Sequence, residues 1–165
     1  MLITTLGYEG LDTEAFFQIL ANNHVQTLVD IRELPLSRKR GFSKSALGEN
    51  ANTFGLKYVH IPELGAPRDA RHEYRDSDDW AKFSRIYKKH LSLQTESLDK
   101  LFAMMKSDIC CLVCFEADHF YCHRHYVANA LLEKFNGKLQ ITHLAASKTT
   151  AASWLRPLVG TASPR

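Results

Sequence analysis

The sequence predicts an α/β fold, a single domain on a mainly parallel sheet of about five strands with helices on both faces. Strand-length apolar runs recur at residues 2–6, 27–31, 57–61, 110–114 and 139–143. Segments between several of them carry apolar side chains at the three- and four-residue spacing of a helix that buries one face. Such alternation suits parallel βαβ units, because a strand re-entering a sheet in the same direction needs a long crossover.

The first run, Leu2-Ile3-Thr4-Thr5-Leu6, enters Gly7-Tyr8-Glu9-Gly10, whose glycines mark a turn. Asp12 or Thr13 is placed to cap a helix with Phe16, Phe17 and Leu20 on one stripe. The second strand is broken by Leu34-Pro35, and the charged loop Ser37-Arg38-Lys39-Arg40-Gly41-Phe42 follows. Ser43 stands at the cap of the next helix, which Gly48 and Asn50 make weak or short. Pro62 stops the third strand, and residues 63–75, with glycine and proline breaks among many charges, are expected to form a long surface loop.

Ser77-Asp78-Asp79 starts a helix with Trp80, Phe83, Tyr87 and Leu91 on one face, and Leu98, Leu101, Phe102 and Met105 define another. Cys110-Cys111-Leu112-Val113-Cys114 reads as a buried strand. A polar loop follows, ending in Cys122-His123-Arg124 before a helical pattern from Tyr126 to Phe135. The domain is expected to span residues 1–145. Residues 146–165, with small residues, threonines and two prolines, are expected to be a loosely ordered tail.

The length of 165 residues suits one domain with a proper core. A formal charge of +3 permits an acidic partner without demanding one. Three of the four cysteines crowd into one strand, where neighbours are badly placed to pair, so no disulfide framework is expected. No apolar run reaches membrane-spanning length, and residues 2–6 are too short for a secretory segment. The expected setting is reducing and cytoplasmic, with no membrane partner.

In parallel sheets, ligands bind beyond the carboxyl ends of the strands. Here those ends carry Tyr8 and Glu9, Asp30 and Arg32, His60 and Glu63, Glu116 through Arg124, and His143. The same places hold Leu6-Gly7-Tyr8-Glu9-Gly10, Val29-Asp30-Ile31-Arg32, Pro35-Leu36-Ser37-Arg38, Gly41-Phe42-Ser43-Lys44, Tyr58-Val59-His60-Ile61-Pro62-Glu63-Leu64-Gly65, Cys114-Phe115-Glu116 and Cys122-His123-Arg124. On these stretches, in order over about nine-tenths of the chain, the sequence resembles a family of small α/β proteins, domain of unknown function number 488. The family's Asp-Pro before Cys-His-Arg is replaced here by Asp118-His119-Phe120-Tyr121. The resemblance implies a fold and a set of site positions, and no activity.

Arg124 falls in the first turn of a helix, where a cation opposes the macrodipole unless an anion shares the site. The alternative is an ion pair with Asp30 or Glu116. Arg38-Lys39-Arg40 is a second basic loop in the ligand-facing layer, or else a solvated charge run. It lacks the glycines of a P-loop. Cys122, at a helix start beside His123, is a candidate thiolate nucleophile or a structural thiol. No arginine stands six positions after Cys114 or Cys122, as cysteine phosphatase loops require. His119, Cys122, His123 and His125, with His60 and His143, form a candidate metal cluster, but paired zinc spacings are absent and no metal ligand is expected. Glu9, Glu63 and Glu116 are candidate acid or base groups, or partners of Arg32, Arg38, Arg68 or Arg124.

The leading expectation is a phosphate-bearing ligand, a nucleotide or nucleic acid, bound through Tyr8, Asp30, Arg32, Arg38, Arg40, His60, His123 and Arg124. Glu116, Glu9, Glu63 and Cys122 are the candidate catalytic groups. Two alternatives stand beside it, a non-catalytic nucleic-acid-binding module and cysteine-based sulfur or thiol chemistry. No cofactor or reaction follows from the sequence.

Overall fold

The computed structural model describes residues 1–146; the tail expected at 146–165 lies almost wholly outside them. Five strands, β1 (Leu2–Gly7), β2 (Thr27–Asp30), β3 (Lys57–His60), β4 (Cys110–Cys114) and β5 (Gln140–His143), form one sheet. Every pairing is parallel, in the order β3-β2-β4-β1-β5. The chain leaves a gap between β1 and β2 and returns to fill it with β4. That strand therefore has neighbours on both edges and helices on both faces, which is why its sequence is a continuous apolar run.

On one face, Phe16, Phe17 and Leu20 of α1 (Thr13–Asn22) and Leu47 and Ala51 of α2 (Lys44–Thr53) pack against Leu6, Leu28, Cys111 and Val113. On the other lie α4 (Trp80–Ser92), α5 (Thr95–Met105) and α6 (His123–Lys134), with Tyr87, Leu101 and Val127 against Ile3, Val29, Cys110 and Leu112. Each fully buried aliphatic or aromatic side chain contributes about 1.5–3 kcal/mol. The alternation along β4 puts Cys110 and Cys111 in opposite cores, where burial pushes both thiols up to about 12. Among the described residues, no helix is long and apolar enough to cross a membrane.

Residues 63–75 are not a loop. A 3-10 turn at Pro62–Leu64 leads into α3 (Arg68–Ser77). The glycine and proline breaks, Gly65 and Pro67, precede this helix rather than interrupt it. Ala70 is its one buried residue, so it lacks the apolar stripe by which a helix is read from sequence. It is held by its neighbour instead: the Tyr74 ring meets Trp80 and Phe83 at 5.3 and 5.6 Å.

The caps follow elementary chemistry. Asp12 accepts from the Ala15 N–H and Asp79 from the Lys82 N–H, each at 2.8 Å. Ser43 stands at the cap position of α2, but its hydroxyl donates to the Ser37 carbonyl (3.0 Å) and accepts from the Ser37 N–H (3.2 Å). It closes the basic loop rather than the helix.

The loop after β4 passes directly over the end of β1. Tyr8 N–H donates to the Cys114 carbonyl at 3.2 Å and Glu9 N–H to the Phe115 carbonyl at 2.8 Å. A Cβ on Gly7 would lie 1.7 Å from the Glu116 carbonyl oxygen. Only glycine lets the two backbones approach this closely. Gly7→Ala is expected to lower stability by about 2–3 kcal/mol, read from urea unfolding midpoints, because the 116–117 backbone must move. An unchanged midpoint would show that the loop yields freely.

Candidate functional site

Beyond the carboxyl ends of β1, β2 and β4 lies a cleft of about 620 Å³. Tyr8 comes from the turn after β1, residues 32–39 from the segment after β2, and Cys114 to Glu116 from the end of β4. Tyr121 enters from the turn before α6, Cys122 and His123 from its start, Arg71 and Tyr74 from α3, and Trp80 and Phe83 from α4.

The wall after β2 rests on a buried ion pair. Asp30 is fully buried, and Arg32 grips it with two bonds, Nε to Oδ1 at 2.8 Å and one terminal nitrogen to Oδ2 at 2.6 Å. The other terminal nitrogen donates to the Tyr8 hydroxyl (3.0 Å) and the Phe42 carbonyl (2.8 Å). Tyr58 donates to Asp30 Oδ2 at 2.7 Å; burial and the adjacent carboxylate push that phenol up, so it stays a donor. The Tyr8 and Phe42 rings stack at 4.4 Å, carrying the network to the far end of the basic loop. Gly41 completes that loop at φ +90°, a conformation that favours glycine.

Basic side chains line this wall. Arg38 is exposed and, among the described residues, has no ion-pair partner. Lys39 reaches the Tyr8 carbonyl at 3.3 Å, while Arg71 is paired with Glu33 at 2.6 Å. Tyr74, Trp80, Phe83 and Tyr121 line the same cleft. Leu34, Leu36, Phe115 and Tyr121, each between 44% and 69% exposed, form an apolar rim.

Cys114, Cys122, His123 and Glu116 make the floor. Their sequence positions explain the convergence: Cys114 is the last residue of β4, Cys122 the cap of α6 and His123 its first residue. Cys114 Sγ donates to Glu116 Oε2 at 2.9 Å and lies 3.6 Å from His123 Nδ1. His123 Nε2 meets the Ile31 carbonyl at 2.9 Å; since a carbonyl only accepts, that nitrogen carries a proton.

Burial pushes the Cys114 thiol up, and pushes Cys122 well up. A nucleophilic thiolate at the helix start, as the sequence suggested for Cys122, is therefore opposed by its surroundings. Burial works against charge on Glu116 and His123 too, yet each helps ionise the other. Glu116 sits below the usual carboxylate range beside His123 and the Cys114 thiol. His123 sits above the usual imidazole value through Cys122, Glu116 and the Ile31 carbonyl.

The structure brings Tyr8, Arg32, Arg38, Glu116, Cys122 and His123 to the cleft and leaves other expected residues off it. Arg124 is fully buried and binds the carbonyls of Glu116 and Ala117 (the latter at 2.9 Å) and the Thr5 hydroxyl. It clamps the loop; it neither faces an anion site nor pairs with Asp30 or Glu116. Glu9 accepts the Ala117 N–H at 2.9 Å on the outside of that loop. Glu63 is exposed on the 3-10 turn, and Arg40 lines a separate hollow with Asp12, Thr13 and Asn50. His60 is spent on the Arg32 carbonyl at 2.8 Å, and Asp30 lies beneath Arg32.

The expected histidine cluster divides. His119 and His143 stack face to face at 3.6 Å, away from Cys122 and His123. Burial lowers both, His143 to about 4. Among the described residues, Cys114, Cys122 and His123 are the group whose donor atoms are close enough to share a metal ion.

Sequence reading missed Cys114, Arg71, Tyr74 and the second role of Trp80 and Phe83. Cys114 was visible in principle, since it ends a strand at the ligand-facing edge and falls on the α6 side of the period-two alternation. Arg71 and Tyr74 were hidden with α3.

The cleft, the parallel sheet and the Cys-His-Arg helix start define a single-sheet α/β protein with a cleft at the carboxyl edge. The chain belongs to the family described as Domain of unknown function DUF488, whose profile matches residues 12–131. No curated protein and no solved structure matches it. Where the family's Asp-Pro is replaced, Asp118 accepts the Phe120 N–H at 2.9 Å and caps a 3-10 turn at His119–Tyr121, so the loop keeps a defined turn.

The Glu116–His123 coupling sets a pH window. A raised histidine contributes stability that is complete below its ordinary value and lost as pH rises through the raised one; the lowered carboxylate contributes above its ordinary value and loses it as pH falls through the lowered one. Glu116→Gln is expected to lower the His123 pKa, followed by NMR titration of the ring protons. An unmoved His123 titration would show that Cys122 and Ile31 alone hold its proton.

Proposed function

We propose that the cleft binds a phosphate-bearing ligand with a flat ring, a nucleotide or a nucleotide within a nucleic acid. One observation carries this: Arg38, without an ion-pair partner among the described residues, and neighbouring Lys39 line one cavity together with the aromatic side chains of Tyr74, Trp80 and Phe83. Guanidinium and ammonium groups suit phosphate oxygens, and aromatic faces suit a base. The cavity volume fits a ligand of nucleotide size. The exposed apolar rim supports an organic ligand over inorganic phosphate alone.

Glu116 and His123 lie on the floor of this cleft and form the acid–base pair in this reading. Their opposed pKa directions keep one group a carboxylate while the other holds a proton. A nucleic-acid-binding module without chemistry would use the same basic loop but would not need the floor.

Calorimetric titration with the four nucleoside monophosphates, the matching nucleosides and a short single-stranded oligonucleotide tests the reading. At least one nucleotide is expected to saturate the protein while its nucleoside binds far more weakly. The double substitution Arg38→Ala, Lys39→Ala should weaken binding about tenfold or more, and Trp80→Ala should weaken the nucleotide but not inorganic phosphate. Binding by the oligonucleotide alone, falling steeply with salt, would favour the module. Absence of saturable binding, or binding indifferent to the basic loop, would overturn both.

A further inference from the structure

We infer that Cys114, Cys122 and His123 form a three-ligand binding site for a divalent metal of the zinc class, with the fourth position left for water or a ligand. Their donor atoms lie within 4.8 Å of one another, brought from a strand end, a helix cap and the first helical residue. A tetrahedral zinc ion places two thiolates about 3.8 Å apart and a thiolate and an imidazole nitrogen about 3.6 Å apart. Cys114 Sγ and His123 Nδ1 are already 3.6 Å apart.

The support around the imidazole is that of a metal ligand. The Ile31 carbonyl fixes the proton on Nε2, which turns Nδ1 toward the sulfurs. Metal-bound histidines are oriented in this way by a carbonyl or carboxylate on the other nitrogen. Ile31 itself is fully buried and follows β2 directly, so this anchor does not drift.

The charge balance points the same way. Cys114, Cys122 and Glu116 are three groups that can become anions in one partly or wholly buried place. The carboxylate accepts the Cys114 S–H, and His123 is the basic side chain in contact with them. Binding releases the two thiol protons, and the Nδ1 proton wherever His123 is charged, to solvent. The ion then takes two thiolate pairs and the Nδ1 pair, and two negative charges cancel its own. Glu116, which accepts from Cys114, lines the cleft beside the site and is not one of its ligands.

The test uses Co²⁺, whose thiolate complexes absorb in the near ultraviolet, on the full chain, reduced and stripped by a chelator. Titration is expected to develop a sulfur-to-cobalt band and tetrahedral visible bands that saturate at one ion per chain, and Zn²⁺ should bleach them. Cys122→Ser should halve the sulfur band, and His123→Gln should weaken binding about tenfold or more while keeping it. Cys110→Ala should change neither.

A second measurement covers variants that fail to fold. Zn²⁺ added to the unmodified protein should protect Cys114 and Cys122 from alkylation, mapped by mass spectrometry. Absence of the sulfur band, a band undiminished in Cys122→Ser, or alkylation unaffected by Zn²⁺ would each overturn the site. None of these readings requires a nucleotide, so the metal site and nucleotide binding are tested separately; an occupied site takes His123 as a ligand in place of its acid–base role with Glu116.

Discussion

The site depends on a buried charge pair at the carboxyl end of β2. Asp30 and Arg32 lie two residues apart, so the arginine must fold back over the strand end to reach the carboxylate with two bonds. Burying this pair costs desolvation that only excellent geometry offsets. The geometry is supplied from several elements: Tyr8 after β1, Phe42 before α2 and Tyr58 on β3 each occupy one remaining donor or acceptor. His60 takes the Arg32 carbonyl. A guanidinium with all its neighbours fixed is a poor ligand for a mobile anion and a good frame for the residues that are free.

This division between frame and free groups explains which cations face the cleft. Arg32 and Arg124 are both buried and both spent on internal acceptors. They hold the two loops, 32–43 and 115–122, that bound the cleft. Arg38 and Lys39 sit on the first loop with charge to spare, and Cys114, Glu116, Cys122 and His123 are presented by the second loop and its borders. The floor keeps neutral thiols beside an ionised carboxylate and a proton-holding imidazole, a state that a bound cation would invert.

Much of the architecture was legible in the sequence. Five apolar runs, their helical intervals and the rule that ligands gather at carboxyl strand ends lead to the observed parallel sheet and edge. What was hidden had physical causes. Helix α3 buries too little to show a stripe, so the segment reads as loop and its Arg71 and Tyr74 go unseen. Adjacent ionisable residues in sequence point apart in space: Arg124 turns into the loop while His123 turns to the cleft floor. A sequence places both at the helix start and cannot separate them. Glu9, Glu63, Glu116 look alike as strand-end carboxylates, and only folding decides that Glu116 alone lines the cleft.

The central claim is that the Asp30–Arg32 pair holds the basic loop over the site. Hydrogen exchange in Asp30→Asn tests it most directly, followed at the amides of Ser37, Phe42 and Lys44, which bond to Ser43 Oγ, Lys39 and Pro35 across the loop. With Arg32 left buried and unpaired, these amides should exchange at least tenfold faster, beyond any change at Leu112 and Val113 in the sheet centre. Loop amides exchanging as in the unaltered protein, or speeding up only in step with the sheet, would show that the loop stands without the pair.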